Sequence, residues 1–192
     1  ISVRQGIKNS LMVVDMPYNT YNKSSQALKN CKKVMKLTKC DAVKIEGGLK
    51  KIKIIKYLIK NKVPVMGHLG ILPQSTKGKF KSKGRSINER NELIRDCKLL
   101  EDAGVFSLVL ECVETKLARH ITNLIKIPTI GIGSSNNCDG QILVIDDILG
   151  LTESKMKFVK KFVDVKRLIA FGAKRFKKEV ILKKYPLKKH SY

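Results

Sequence analysis

The chain has 192 residues, of which 43% are apolar, and this places it among folded globular proteins rather than disordered ones. No apolar run approaches the roughly 18 to 20 residues that cross a bilayer, so no membrane partner is expected and a soluble, cytoplasmic protein is. The formal charge of +24 raises nucleic-acid binding, but lysine supplies most of it, at the polar positions of nearly every helical segment. Arginine, the planar reader of phosphates and bases, is confined to positions 4, 85, 90, 95, 119, 167 and 175, so no specific nucleic-acid partner is expected.

The chain opens on Ile1, with no basic segment or signal-peptide core behind it, as a piece of a longer protein would. "SLMVVDMP" then gives a strand at 11–14, and "SSQALKNCKKVMKL" a helix with Leu28, Cys31, Val34 and Met35 on one face. "DAVKIEGG" is the next strand. The helix after it turns Leu49, Ile52, Ile54 or Ile55, and Ile59 inward, and "VPVMGHLG" repeats the strand theme. Ser86 and Glu89 have capping-box spacing before a helix carrying Leu93, Cys97 and Leu100, which closes at Gly104. "FSLVLECV", a helix through Leu117, Ile121 and Leu124, "IPTIGIG" and "QILVID" complete a count of six strands. From Met156 to Tyr185 the pattern is helical, with Phe158, Phe162, Leu168, Phe176 and Val180 available for packing. No linker divides the chain, so residues 1–192 read as one domain with a helical tail from about 155. Short buried strands alternating with amphipathic helices predict an α/β protein with a parallel sheet, either doubly wound or a (β/α) barrel.

Polar groups follow the strands in turn: Asp15, then Lys44 with Glu46, then His68, then Glu111, then Gly131 and Gly133. In a parallel α/β protein the carboxyl ends of the strands share one face, so these residues converge on one pocket. Asp15 and Glu46 are hard oxygen ligands of the kind Mg²⁺ prefers. Lys44 and Glu46, two apart on a strand, point to the same side, which sets an ammonium for an anionic substrate beside a metal ligand. Glu111 ends an apolar strand, where desolvation disfavours the charged form, the tuning a general base needs. His68 is suited to polarising a carbonyl or orienting a ligand, and equally to a buried structural role. The loop "GIGSSNNCDG" has neither GxGxxG spacing nor a Walker lysine and reads as a close-approach loop lining the pocket. The five cysteines show no CxxC pair and no metal spacing with the histidines, as in a reducing cytosol. Cys31 and Cys97 read as core, and Cys112 has no partnering base that would make it a nucleophile.

"DMPY" at 15–18, "VKIEGG" at 43–48, "VPVMGHLGILPQS" at 63–75, "GR" at 84–85, "LVLECV" at 108–113 and "IPTIGIGSSNNCDGQILV" at 127–144 resemble, in order, the ketopantoate hydroxymethyltransferase family. The resemblance implies a (β/α)₈ TIM barrel of the phosphoenolpyruvate/pyruvate type, N-terminally truncated to about six of its eight βα units. It implies hydroxymethyl transfer from 5,10-methylenetetrahydrofolate to 3-methyl-2-oxobutanoate in pantothenate and coenzyme A synthesis, by a homo-oligomer. By match to the motifs, Mg²⁺ would be held by Asp15 and Glu46, substrate by Asp15, Lys44 and His68, and Glu111 would be the catalytic base. The chain departs from the family pattern in lacking a "DSLG"-type segment, in Leu72 where Thr is usual, and in a shorter, Lys-rich loop between Gln74 and Gly84. A related Mg²⁺-dependent lyase or carboligase, and an inactive copy serving as a basic binding protein, are the alternative readings.

Overall fold

The apolar runs form one all-parallel sheet. Its strands are β1 (Val13–Asp15), β2 (Ala42–Glu46), β3 (Val65–Gly70), β4 (Ser107–Glu111), β5 (Thr129–Ile132) and β6 (Gly140–Gln141), and they lie side by side in that order. The structure, a computed structural model, describes residues 2–76 and 81–192. The chain divides into two compact units, one running to Ile142 and one from Leu143 to Tyr192.

In the first unit a short helix α1 (Ser2–Gly6) precedes β1, and α2 (Ser24–Thr38), α3 (Ile52–Lys60), α4 (Ile87–Asp102) and α5 (Thr115–Leu124) connect the strands that follow. α2 packs on α3, α3 on α4 and α4 on α5, so these helices make a single layer. A doubly wound sheet reverses its strand order and carries helices on both faces; this sheet does neither. Sequential order with one helical layer is the winding of a (β/α) barrel wall, as right-handed crossovers repeated in one direction produce.

Period two then sorts the side chains. Val43, Ile45, Val65, Leu69, Leu108 and Leu110 face the helices and are buried in the core with Cys31, Ile55, Leu58, Cys97, Leu100, Leu117 and Ile121. Gly67 belongs to this face too: a Cβ there would lie 3.0 Å from Leu108 and 3.2 Å from Leu100. The alternate residues point to the opposite face. Registered neighbours in parallel strands share a face, and the register pairs Asp15 with Lys44, Glu46 with His68, His68 with Val109 and Gly70 with Glu111.

Several expectations shift. Leu49 is exposed, because Leu49–Lys51 form a 3₁₀ turn ahead of α3, and Leu58 takes the inward place instead. Ser86 accepts the Glu89 N–H as a capping box requires, but the Glu89 carboxylate turns to the N–H groups of Gly84 and Arg85. Of "QILVID" only Gln141 lies in β6, paired together with the preceding Gly140, and Ile145–Ile148 form the short helix α6. In the second unit the helix α7 spans Val165–Ile181 rather than starting near Met156, since Asp164 accepts the Arg167 N–H and sets the first turn there. Phe162, Leu168, Phe176 and Val180 are exposed, Phe176 meeting only the edge of the Tyr185 ring at 5.5 Å. Among the described residues no helix is long and apolar enough to cross a membrane.

Candidate active site

Four strands contribute to one cluster on the face opposite the helices. Lys44 Nζ lies 2.9 Å from Asp15 Oδ1 on one side and 3.0 Å from His68 Nδ1 on the other. His68 Nε2 lies 3.2 Å from Glu111 Oε2, and His68 Nδ1 lies 3.8 Å from Glu46 Oε1. Asp15, Lys44, Glu46, His68 and Glu111, far apart in sequence, therefore stand within contact of one another through the His68 ring and the Lys44 ammonium. His68 is 2% exposed and Glu46 7%, while the Asp15 side chain keeps 61% of its surface open. The cluster is thus sealed at β2 and β3 and open at β1.

The hydrogen-bond directions follow from the donors available. An ammonium only donates, so His68 Nδ1 accepts from Lys44, and a neutral ring carries its proton on Nε2, towards Glu111. The Glu111 oxygen is close enough but lies off the N–H direction, so Nε2 is left without a hydrogen bond in a buried position, alone in this among the described residues. Buried donors are rarely left so.

Burial raises the pKa of Glu46 from its ordinary value, against the opposing pull of Lys44 and the Gln74 N–H, which donates to Oε2 at 3.2 Å. Burial first and then the Glu111 charge push the Cys112 thiol up to about 11, which keeps it protonated and removes it as a nucleophile. Cys112 holds a left-handed φ of 51°, fixed by its N–H to Ile132 O and its carbonyl to Lys83 N, so β4 turns away sharply just past Glu111. Gly70, at φ 98°, permits this: a Cβ there would lie 2.1 Å from the Glu111 carbonyl.

The loop after β5 spends its polar groups on the sheet and on itself. Ser134 Oγ bridges Leu110 O and Val113 N, and Asp139 accepts from the Thr129 N–H and hydroxyl. Gly131 allows close approach, since a Cβ would meet Gln141 at 2.8 Å. The altered loop between Gln74 and Gly84 falls partly on residues 77–80, outside the described residues. Sequence reasoning missed Gln74, whose N–H reaches Glu46; its one trace was its place in the "ILPQS" motif.

Among the described residues no group of three or more His, Cys, Asp or Glu side chains forms a metal cage. Two hard carboxylates, one exposed and one buried, fit Mg²⁺ nevertheless, because that ion takes one or two carboxylates and keeps its other positions for water and substrate oxygens.

An ammonium, an imidazole and three carboxylates thus stand together on the face of a sequentially wound parallel sheet opposite the helices, near the carboxyl ends of its strands, where (β/α) enzymes carry their sites. The family model for ketopantoate hydroxymethyltransferase matches residues 1–188. A protein of Pelagibacter ubique named 3-methyl-2-oxobutanoate hydroxymethyltransferase is 61% identical over all of this chain, which spans 74% of that protein's length. One of the same name from Clostridium botulinum is 46% identical over all of this chain and 71% of its own length. A solved structure, dihydrodipicolinate synthase from Agrobacterium tumefaciens, aligns with a TM-score of 0.43 and 14% identity over 71% of this chain and 48% of that one. The chain belongs to the ketopantoate hydroxymethyltransferase family and is a transferase.

Proposed function

We propose that the chain transfers a hydroxymethyl group from 5,10-methylenetetrahydrofolate to 3-methyl-2-oxobutanoate, giving 2-dehydropantoate for pantothenate and coenzyme A synthesis. The observation that carries this reading is the contact chain Asp15–Lys44–His68–Glu111, which sets a base, a neutral donor and a cation around one point. The C3–H bond of the keto acid breaks, a carbon–carbon bond to the methylene carbon of the folate forms, both C–N bonds of that carbon break as water supplies the hydroxyl oxygen, and tetrahydrofolate leaves with the C3 proton and one water proton on its two nitrogens. Glu111 takes the C3 proton. Lys44 faces the substrate anion and opposes the charge that develops on its oxygens. His68 donates from Nε2 to the same oxygens, its ring held by Lys44. Mg²⁺, seated by Asp15 and Glu46, would act as a Lewis acid that acidifies the C–H next to the carbonyl. In this reading the six strands form the larger part of a (β/α)₈ barrel of the phosphoenolpyruvate/pyruvate type, and the protein is a cytoplasmic homo-oligomer. Its five free cysteines and the exposed Leu168, Phe171 and Phe176 of α7 support those last two points.

The test is proton exchange. With Mg²⁺ and 3-methyl-2-oxobutanoate in D₂O, NMR should show loss of the C3 proton, slowed by about 10³-fold in Glu111→Gln. Exchange of equal rate in the variant would remove Glu111 from its role. Exchange without transfer from the folate would favour a lyase or carboligase of the same barrel type.

A further inference from the structure

Gln74 and Tyr21 lie outside every role assigned above, yet they join the three strand ends that carry Asp15, Glu46 and His68. Gln74 sits in the turn after β3, where the N–H groups of Ser75 and Thr76 return to Leu72 O. From there its side chain reaches back past β2 to the segment after β1: Nε2 donates to Met16 O at 2.9 Å, and Oε1 accepts from the Tyr21 hydroxyl at 2.9 Å. The orientation of the amide is determined by its partners. A carbonyl only accepts, so nitrogen must face Met16, and the remaining oxygen must face a donor. Burial, then the Glu46 charge, raises the Tyr21 hydroxyl to about 12, so it remains that donor throughout the physiological range. Met16 and Tyr21 are themselves buried, so this end of the bridge is anchored in the core.

The geometry points to a Tyr21–Gln74 clamp as the positioning device for Glu46. With its side chain held at both ends, Gln74 has its backbone N–H fixed over Glu46 Oε2, which leaves Oε1 turned to the His68 side of the cluster. A ligand carboxylate held by a second hydrogen-bonded group loses metal affinity when that group is removed, commonly by about 10- to 100-fold. The inference rests on reading Glu46 as part of the Mg²⁺ seat, and its test separates the two.

Mn²⁺ is titrated into the full chain and its free concentration followed by electron paramagnetic resonance, for the wild type, Tyr21→Phe, Gln74→Leu, the double variant and Glu46→Gln. Tyr21→Phe and Gln74→Leu should each weaken Mn²⁺ by about tenfold, and the double variant by about tenfold again relative to wild type rather than a hundredfold, since both cut one device. Amide hydrogen exchange at position 74 is the second arm and needs no metal. It should quicken by about tenfold in Tyr21→Phe, the loss of about one hydrogen bond, while the β4 amides stay unchanged. Additive losses in Mn²⁺ affinity, or a Tyr21→Phe variant with unaltered exchange at position 74, would overturn the clamp. Equal Mn²⁺ binding by wild type and Glu46→Gln overturns the metal seat instead, and the exchange arm still decides the clamp.

Discussion

The two ends of the same strands are unlike. Towards the carboxyl ends of β1 to β4 stand Asp15, Lys44, Glu46, His68 and Glu111, in contact with each other across strands. Around the amino end of β3 an open hollow is lined by Ile59, Lys62, Val63, Pro64, Val65, Gly104 and Phe106, mostly apolar. The parallel ladders run from one end to the other, so strand pairing does not choose between them. Side chains choose. At the amino end burial removes apolar area from water and stabilises the fold. Near the carboxyl end burial isolates charges and donors, which costs stability and is offset only where each finds a partner or a ligand. His68 Nε2, still without one, marks where that requirement is open.

The sharpest way to break this contrast is at Lys44. Lys44→Met should lower turnover of hydroxymethyl transfer by about 10²- to 10³-fold, measured by steady-state kinetics, with urea unfolding changed far less. A stability loss without a kinetic one would make Lys44 a structural cation and erase the division. The helix-facing side of the sheet should respond the opposite way. Leu108→Ala, at a position with 0% exposure, should cost about 2–5 kcal/mol of unfolding free energy while residual folded protein keeps its KM. Gly70→Ala tests where the two behaviours meet. Its left-handed φ and the Glu111 carbonyl in the path of a Cβ should cost about 1–3 kcal/mol and, by moving β4, lower turnover as well.

Glu46 gives the smallest and most diagnostic effect. Its folded pKa lies above its ordinary value, chiefly by burial, so the folded state holds the proton more tightly than the unfolded one. That contribution is complete below the unfolded pKa and is lost as pH rises through the folded value. Glu46→Gln escapes the loss. Its Tm should therefore gain on the wild type as pH is raised from about 4.5 towards neutrality, even as proton exchange fails. A Tm difference independent of pH would show that Glu46 is not desolvated in solution.

The amino-acid sequence by itself determined the six strands, the helices between them and the polar residue that follows each apolar run, because period and capping are local and survive without any knowledge of neighbours. The motifs around Asp15, Glu46, His68 and Glu111 were legible for the same reason. Tertiary structure alone decided three things. Strand order and a single helical layer separated barrel winding from the doubly wound alternative, a difference that lies in how crossovers stack and not in any one of them. Register, pairing Glu46 with His68 and Gly70 with Glu111, turned separate polar residues into one contact chain. And Gln74 became a partner of Glu46, 28 positions away, only because the turn after β3 folds back over the end of β2. Hydrogen bonds and Coulomb interactions act over a few ångströms, and which residues come that close is fixed by the packing of the whole sheet.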